Sequence, residues 1–528
     1  MAVALALWAP RLVGPIDLRY DAGVYYILGT SLAEGHGYRL ASEPGAIQAI
    51  QYPPLLPLFA AAHQWVVGSD PSVAGVALRW SYAAMFVAYA VTLHGFFRRR
   101  LTTPWATMAS LLCILHVQLV WLSDLLFAEL PFALCTLLFL RRTEPGNRRS
   151  TAGAWAAAAY LLRSAGLAAL VAWVAEAILG RRWRAALLRI TVALIPILAW
   201  QSYIARVQHG IEYRHPTYEY QRAPYQYYNV GYLENMGYLD SFAPERGRVG
   251  ARELAGRVGG YLSHMPAALG ASASVDTGWL RGSLRALNER HPTLAIPLDV
   301  ANWLLVALGL ASIGGQALLV FRGERIVPLY WLGSLALITL TPWEQQVGRY
   351  LMPLAPLTVL GFLTTLDAIT RRGARPGLRR LIGAGLGGIV LAQALVLVIV
   401  FGRQHPLTAA GDQRLFFYPP SWHEHGTAVG WLAHAASAGQ IVATSTPHWV
   451  YLATGLRAVL PPFEIEAAEA ERLLESVPVD YLVIDDLEFV DVTRRYAEPV
   501  VRAYPERWTL VRGDPTSGSR IYRRVRAE

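Results

Sequence analysis

The feature that most constrains this chain is a series of long apolar runs separated by short arginine-rich segments. Of its 528 residues, 54% are hydrophobic and 16% are charged, and the mean hydropathy is +0.31. Soluble domains carry about 25% charged residues. A helix needs about 20 mostly apolar residues to cross a bilayer, and several of these runs reach that length. The sequence therefore predicts a polytopic, all-α membrane region.

The arginine-rich segments indicate how the chain is oriented. The net charge is +10, and the basic residues cluster at 98–100, 141–149, 181–184, 322–325 and 371–380. Short basic loops between apolar runs are typical of the cytoplasmic side of a membrane. We interpret them this way and do not predict nucleic-acid binding. Alternating crossings then predict about 11 transmembrane helices, with the N-terminus in the cytoplasm.

The pattern also predicts two domains. Residues 1–408 form the membrane domain, with outer loops at about 15–53 and 207–299. Within it, 152–179 reads as two short helices that break near Arg163. Residues 409–528 alternate helix-like and strand-like segments, including a buried parallel strand at 479–484, which predicts a small extracytoplasmic α/β domain.

Six charged residues fall near the outer face in this topology. Ionisable residues within or beside membrane helices usually face a cavity and a partner, because exposure to lipid is costly. Arginine matches phosphate oxygens with paired hydrogen bonds, and a carboxylate is able to accept a proton from a hydroxyl. The six residues are Asp21, Arg79, Asp124, Glu129, Arg163 and Arg349.

Three tyrosines of the first outer loop, Tyr25, Tyr38 and Tyr52, are candidates to stack on a sugar ring or to lie at the lipid interface. A longer aromatic run at 213–232 is interpreted as an interfacial belt or as the core of an outer loop. His423 and His425 are spaced like metal ligands, but no third ligand is evident, so no metal site is predicted.

Structural interpretations stay open beside the functional ones. Asp21 could cap the helix that follows it. Arg79 and Arg163 could extend to lipid headgroups. Arg349 could form a local ion pair. Asp124 could be a solvated turn residue.

The motifs around these residues resemble, in their order along the chain, the GT-C superfamily of membrane glycosyltransferases. The nearest similarity is to bacterial relatives of protein O-mannosyltransferases and to the lipid A aminoarabinose transferase. The matching segments are Asp21-Ala22-Gly23-Val24-Tyr25, Gly35-His36-Gly37-Tyr38, Tyr52-Pro53-Pro54, Ala128-Glu129-Leu130-Pro131, Leu162-Arg163-Ser164-Ala165-Gly166 and Gly348-Arg349-Tyr350 with the prolines that follow.

The resemblance implies a hexosyl or pentosyl transferase in the bacterial inner membrane, with its C-terminal domain in the periplasm. The donor would be a polyprenyl-phosphate-linked sugar, and the acceptor would be a hydroxyl of a glycan, lipid or protein, attacked with inversion. No cofactor is implied, although some GT-C enzymes use a divalent metal. The implied roles are base for Asp21, second acid for Glu129 or Asp124, and phosphate ligands for Arg163, Arg349 and Arg79.

Two positions depart from the relatives that modify lipid A. Gln51-Tyr52 stands where those relatives carry a lysine, and Ala22 stands where many carry a glutamate. The first departure removes an expected phosphate contact and argues against lipid A as the acceptor. The second removes a paired acid beside Asp21.

Two other functions stay open. One is a transporter or flippase of lipid-linked sugars, and the other is a catalytically inactive GT-C-like partner subunit. A transporter typically shows inverted repeats and charges near the bilayer midplane. Here the charges are predicted at one rim, which favours an enzyme.

Overall fold

The structure is a computed structural model that describes residues 1–144, 151–275, 277–291, 297–372, 376–402, 418–489, 491–514 and 517–526. The chain divides into two compact units. The first unit comprises Met1–Leu12, Trp80–Leu198 and Leu254–Gln404, and the second comprises Val13–Arg79, Ala199–Glu253 and His405–Glu528. The predicted domain boundary between residues 408 and 409 lies outside the described residues.

Helices make up most of the described chain, as the apolar runs predict. The first ten are α1 (Ala2–Trp8), α2 (Asp21–Ala33), α3 (Leu55–Val67), α4 (Pro71–Arg98), α5 (Thr103–Ile114), α6 (Val117–Asp124), α7 (Glu129–Arg142), α8 (Ala152–Leu162), α9 (Leu167–Leu179) and α10 (Trp183–Gln208). The next nine are α11 (Ile211–Arg214), α12 (Tyr232–Met236), α13 (Ala251–Ala273), α14 (Thr277–Arg290), α15 (Leu298–Phe321), α16 (Ile326–Thr339), α17 (Val347–Leu351), α18 (Ala355–Arg372) and α19 (Pro376–Gly402). The last four are α20 (Pro420–Ala435), α21 (Pro447–Thr454), α22 (Ala467–Ser476) and α23 (Glu498–Ala503).

Some of these helices are able to cross a membrane, judged by length and composition. Among the described residues there are five, or six if α5 and α6, which are bent by 54°, count as one broken span. This agrees with a multi-span protein, whereas the number of 11 crossings stays a prediction. The five are Pro71–Arg98, Trp183–Gln208, Asp299–Phe321, Glu344–Thr370 and Arg380–Gly402.

The helix break predicted near Arg163 is confirmed, because α8 ends at Leu162 and α9 begins at Leu167. The segment 207–299, predicted as an outer loop, contains the helices α13 and α14, and its place outside the membrane stays a prediction. The apolar face of α13 recurs every four residues at Tyr261, Met265 and Leu269, all buried, and this helical spacing outweighs Pro266 within the helix.

Close helix packing in the first unit depends on glycines. A Cβ atom added at Gly309 would lie 1.8 Å from the carbonyl oxygen of Pro266, and one added at Gly315 would lie 1.7 Å from that of Gly361. Such contacts are impossible for any other residue and are typical of helices that pack backbone to backbone in membranes. They hold α15 against α13 and α18, and α18 directly follows the segment that carries Arg349.

The second unit contains two sheets. β1 (Arg39–Leu40) and β2 (Ile47–Gln48) form a short antiparallel hairpin. The larger sheet comprises β3 (Ile441–Ala443), β4 (Arg457–Val459), β5 (Tyr481–Ile484), β6 (Trp508–Asp514) and β7 (Ser517–Arg524) in the order β4-β3-β5-β7-β6. β3 pairs in parallel with β4 and β5, and β7 is antiparallel to β5 and β6. All four residues of β5 are buried, which confirms the predicted buried parallel strand.

The three chain segments of the second unit share one core. Tyr218 and Tyr220, from the middle segment, pack in the same cluster as Val479 and Leu482 of the C-terminal segment. The hydroxyl of Tyr218 donates a hydrogen bond to Glu43 of the first segment at 2.9 Å. The aromatic run interpreted as a loop core therefore does contribute core residues, and it ties the first outer loop to the sheet.

Glu43 makes this connection sensitive to pH. Its carboxyl group is buried, with 2% of the residue exposed, and burial raises its pKa from 4.5 to about 7, although hydrogen bonds from Tyr218 and neighbouring amides oppose the rise. Since the pKa is higher in the folded state, the stabilisation is complete below about pH 4.5 and is lost as the pH rises through 7.

We therefore expect Glu43→Gln to remove a pH dependence from folding. Between pH 4.5 and 8 the wild-type protein should lose about 3 kcal/mol of unfolding free energy from this group, whereas the variant should not. Thermal unfolding of both purified proteins across this range measures the difference. Glu212→Gln is the matched control, because Glu212 lies in the same unit but its side chain is 35% exposed. Parallel pH profiles for wild type and Glu43→Gln would contradict the expectation.

Candidate functional site

The first unit brings together three of the sequence-predicted site residues. Glu129 is the first residue of α7, Arg163 lies in the break between α8 and α9, and Arg349 lies in the short helix α17. Both arginines form ion pairs with Oε1 of Glu129, which is completely buried. The three motifs that carry these residues therefore meet in one Arg163–Glu129–Arg349 cluster.

The surroundings fix the orientation of both guanidinium groups. The Arg349 guanidinium carbon lies 4.1 Å from the centre of the Phe127 ring, and that of Arg163 lies 5.5 Å from the Tyr350 ring. Stacking on aromatic faces stabilises arginine where water is scarce. The hydroxyl of Tyr82 donates to the carbonyl of Phe127 at 2.7 Å, which fixes the segment leading into α7.

Two guanidinium groups, those of Arg163 and Arg349, contact the same carboxylate oxygen in this cluster. The second carboxylate oxygen, Oε2 of Glu129, is buried and has no hydrogen-bond partner among the residues that the structure describes. Guanidinium groups bind phosphate oxygens through paired hydrogen bonds, so two arginines held side by side suit a phosphate ligand.

Asp124 is outside this cluster. It is the last residue of α6 and accepts a hydrogen bond from Nε of Arg11 at 3.2 Å. Arg11 also donates to Ser123 at 2.9 Å and stacks on Trp8 at 3.9 Å. The expectation of a solvated turn residue is wrong, because Asp124 is 6% exposed. The pair ties the N-terminal helix to α6, and this position supports a structural role.

Arg79 and Asp21 both belong to the second unit. The Arg79 guanidinium donates to the carbonyl of Pro15 at 2.6 Å. Asp21 is half-buried and is the first residue of α2, so the prediction of a loop at this position is wrong. The cap position is occupied by Tyr20, which makes no side-chain capping bond. Asp21 is therefore not the capping residue, although its charge favours the first turn of a helix.

The tyrosines of the first outer loop separate into two groups. Tyr25 and Tyr52 contact each other edge to face, with ring centres 4.8 Å apart. Tyr38 instead donates its hydroxyl to the carbonyl of Tyr52 at 2.8 Å and packs against Trp200 and Tyr203. Tyr38 thus holds the loop together, whereas Tyr25 and Tyr52 lie beside the start of α2.

A cavity of about 500 Å³ in the first unit involves none of these residues. It is lined by Arg99, Arg100 and Arg322 together with leucines and Trp105, in the arginine-rich segments predicted to be cytoplasmic. Across the described part of the chain, no three His, Cys, Asp or Glu side chains are grouped so that they could hold a metal ion.

Comparisons with solved structures identify the architecture. The oligosaccharyltransferase of Archaeoglobus fulgidus, in a complex with Zn and sulfate, matches with a TM-score of 0.50 and 13% identity, covering 97% of this chain and 69% of that one. ArnT from Cupriavidus metallidurans bound to undecaprenyl phosphate matches with a TM-score of 0.45 and 14% identity, covering 99% and 96%. Its apo state matches with a TM-score of 0.41 and 12% identity over the same shares.

No family model and no curated protein matches the sequence. At 13% identity the similarity to the oligosaccharyltransferase establishes fold alone. The chain has the GT-C fold. The fold that the motif order suggested is thereby supported by a comparison of three-dimensional structure.

Within this GT-C fold, sequence reasoning missed three residues near Asp21. Tyr227 and Tyr228 belong to the aromatic run interpreted as a belt or loop core, and His448 is the second residue of the helix α21. Tyr227 contacts Tyr52 with ring centres 6.4 Å apart, and Tyr228 contacts His448 at 4.4 Å. The sequence signal for Tyr227 and Tyr228 was the high density of tyrosines in this run. Nothing in the sequence around His448 separates it from other histidines.

Proposed function

We propose that this protein is a membrane glycosyltransferase of the GT-C type. It would transfer a sugar from a polyprenyl-phosphate donor to an acceptor hydroxyl on the outer face of the bacterial inner membrane, with no resident cofactor. The observation that carries the proposal is the Arg163–Glu129–Arg349 cluster, in which two arginines meet at one buried carboxylate. A lipid phosphate at the membrane rim has the charge and the oxygen geometry that such a site accepts.

The reaction makes specific demands on this cluster. The acceptor hydroxyl loses its proton to Asp21, its oxygen bonds to the anomeric carbon, and the bond from that carbon to the phosphate oxygen breaks with inversion. The electron pair leaves with the phosphate, which changes from a diester with one negative charge to a monoester with up to two. Arg163 and Arg349 would stabilise the added charge as it develops, and interactions that strengthen in the transition state raise the rate.

Asp21 and the arginine cluster belong to different compact units, so their joint action is a separate prediction. If both act on one substrate, the effects of Asp21→Asn and Arg349→Gln on kcat/KM should be strongly non-additive, as is found for residues that act together. Effects that multiply independently would contradict the joint role. A transporter needs no general base, so a loss of sugar transfer in Asp21→Asn with lipid binding intact would argue against that alternative.

Donor recognition is testable without knowing the sugar. We expect purified protein in detergent to bind undecaprenyl phosphate in preference to undecaprenol, measured by native mass spectrometry. Arg163→Gln and Arg349→Gln should each weaken phosphate binding by about 10- to 100-fold, since a hydrogen bond to a charged group contributes about 1.5–3 kcal/mol. Binding of undecaprenol should not change.

The matched control is Arg325→Gln. Arg325 lies in an arginine-rich segment of the same unit and donates to the carbonyl of Leu179, so its loss should leave phosphate binding intact. Equal binding of the phosphate and the alcohol by wild type, or an equal loss in all three variants, would refute the assignment of the phosphate site.

A further inference from the structure

Five aromatic rings form a chain of contacts that starts in the first turns of α2, and they come from all three segments of the second unit. Tyr25 contacts Tyr52 at 4.8 Å between ring centres, Tyr52 contacts Tyr227 at 6.4 Å, Tyr227 contacts Tyr228 at 5.2 Å, and Tyr228 contacts His448 at 4.4 Å. The last ring is the imidazole of His448, which belongs to the C-terminal segment.

The chain of contacts returns to α2 at Gly23. A Cβ atom added at Gly23 would lie 3.2 Å from Cβ of His448 and 2.9 Å from the carbonyl oxygen of Leu18. α21 therefore approaches the turn that begins with Asp21 as closely as backbone and side chain allow. The negative charge of Asp21 is also near enough to Tyr52 to add to burial in raising the pKa of that phenol well above its usual range.

Two polar atoms of this group are buried and lack hydrogen-bond partners among the described residues. They are Oη of Tyr52 and Nε2 of His448, on residues that are 8% and 2% exposed. Buried polar atoms in folded proteins are normally hydrogen-bonded, because an unpaired one is destabilising. Two such atoms beside a candidate base therefore point to a ligand that supplies the missing partners.

The other imidazole nitrogen is held in place. Nδ1 of His448 shares a hydrogen bond with Oγ of Ser42 at 2.9 Å. The carbonyl of Ser42 accepts a hydrogen bond from the backbone N–H of Ala458 in the edge strand β4. Burial lowers the pKa of His448 to about 3, so the ring is neutral at physiological pH. A neutral imidazole with one fixed nitrogen offers Nε2 as a donor or acceptor for an uncharged hydroxyl.

We infer that His448 and Tyr52 form a subsite that binds a neutral sugar ring beside Asp21, which gives the C-terminal segment a direct part in substrate recognition. This inference rests on the proposed function, because it names the substrate chemistry of the same site. Aromatic faces and neutral hydrogen-bonding groups suit a polyhydroxylated ring. The ring belongs either to the donor sugar or to a sugar acceptor.

The first test measures binding without catalysis. Methyl α-D-mannopyranoside, methyl α-D-glucopyranoside and methyl β-L-arabinopyranoside are titrated into wild-type protein by saturation-transfer NMR. We expect at least one glycoside to bind and His448→Phe, which keeps the ring but removes both nitrogens, to weaken it about 10-fold, corresponding to about 1.4 kcal/mol. His448→Gln, which retains a polar atom near the position of Nε2, should recover part of the affinity.

The second test uses steady-state transfer with each substrate varied in turn. A higher KM for the lipid-linked donor in His448→Phe assigns the subsite to the donor sugar, and a higher KM for the acceptor assigns it to the acceptor. In both cases kcat should change less than KM. A loss of kcat with both KM values unchanged would overturn the inference, since a binding subsite acts through affinity.

The matched control is His425→Phe. His425 is also buried in the second unit, but both of its nitrogens have partners, Thr446 at 2.8 Å and Ser519 at 3.5 Å. This substitution should lower the melting temperature and leave glycoside affinity unchanged. If glycosides bind through His448 and yet no sugar is transferred, the proposed function fails and the subsite stands. If wild type binds no glycoside, or if His448→Phe binds all three as well as wild type does, the subsite is refuted.

Discussion

Asp21→Asn is expected to reduce sugar transfer by about 100- to 10,000-fold, the usual contribution of a positioned general base. Asparagine has the shape of aspartate and is compatible with the first turn of α2, so it removes the proton acceptor without altering the backbone. The expected effect falls on kcat, because a neutral amide cannot take the proton from the acceptor hydroxyl as the new glycosidic bond forms.

The measurement is transfer of radiolabelled sugar from the lipid donor by purified protein in liposomes. Undecaprenyl phosphate binding and the melting temperature should match those of wild type, which shows that the site is intact. Asp17→Asn is a matched control: Asp17 is bonded to Arg19 and Tyr418, so its loss should lower stability and spare the chemistry. Transfer by Asp21→Asn at the wild-type rate would show that Asp21 is not the base.

The second large effect is expected at Glu129. Glu129→Gln removes the charge of the buried carboxylate that Arg163 and Arg349 share, and with it one ion pair of each arginine. Breaking a buried ion pair on one side costs about 3–5 kcal/mol, and we expect a loss of this size in unfolding free energy, measured by denaturation in detergent.

Glu129→Gln should also respond more strongly to undecaprenyl phosphate. The substitution removes one negative charge from the cluster, so this lipid phosphate should raise the melting temperature of Glu129→Gln by more than that of wild type. Asp124→Asn provides the comparison, because it breaks a different buried pair, with Arg11, and should be destabilised with no added response to the lipid. Equal responses in both variants would separate Glu129 from the phosphate site.

Local patterns predicted much of the fold. The break at Arg163 was predictable because a charged residue interrupts an apolar run, and the buried strand β5 because four apolar residues end at a pair of aspartates. The bend between α5 and α6 at Leu115 and His116 was not, since the residues there are apolar enough to continue a helix. The helices within 251–290 were not predicted, because the segment contains many polar residues and only one apolar face.

The candidate site divides along the same line. Motif order suggested that Glu129, Arg163 and Arg349 act together, and the structure places these three in contact. The motif order could not suggest His448, because its neighbours Ser42 and Tyr228 are hundreds of residues away in the chain. Contacts of that kind are set by the tertiary fold, and a single sequence carries no periodicity from which to infer them.

The discontinuous make-up of the second unit has a consequence for biosynthesis. Its first segment ends at Arg79 and its last begins at His405, so all of the first unit except Met1–Leu12 is synthesised in between. At 5–20 residues per second that interval lasts roughly 16–65 s, during which Asp21 and Tyr52 lack His448 as a neighbour. The sugar subsite is therefore completed only when the C-terminal segment has been synthesised. A polypeptide interrupted before α21 would be inserted in the membrane without this subsite.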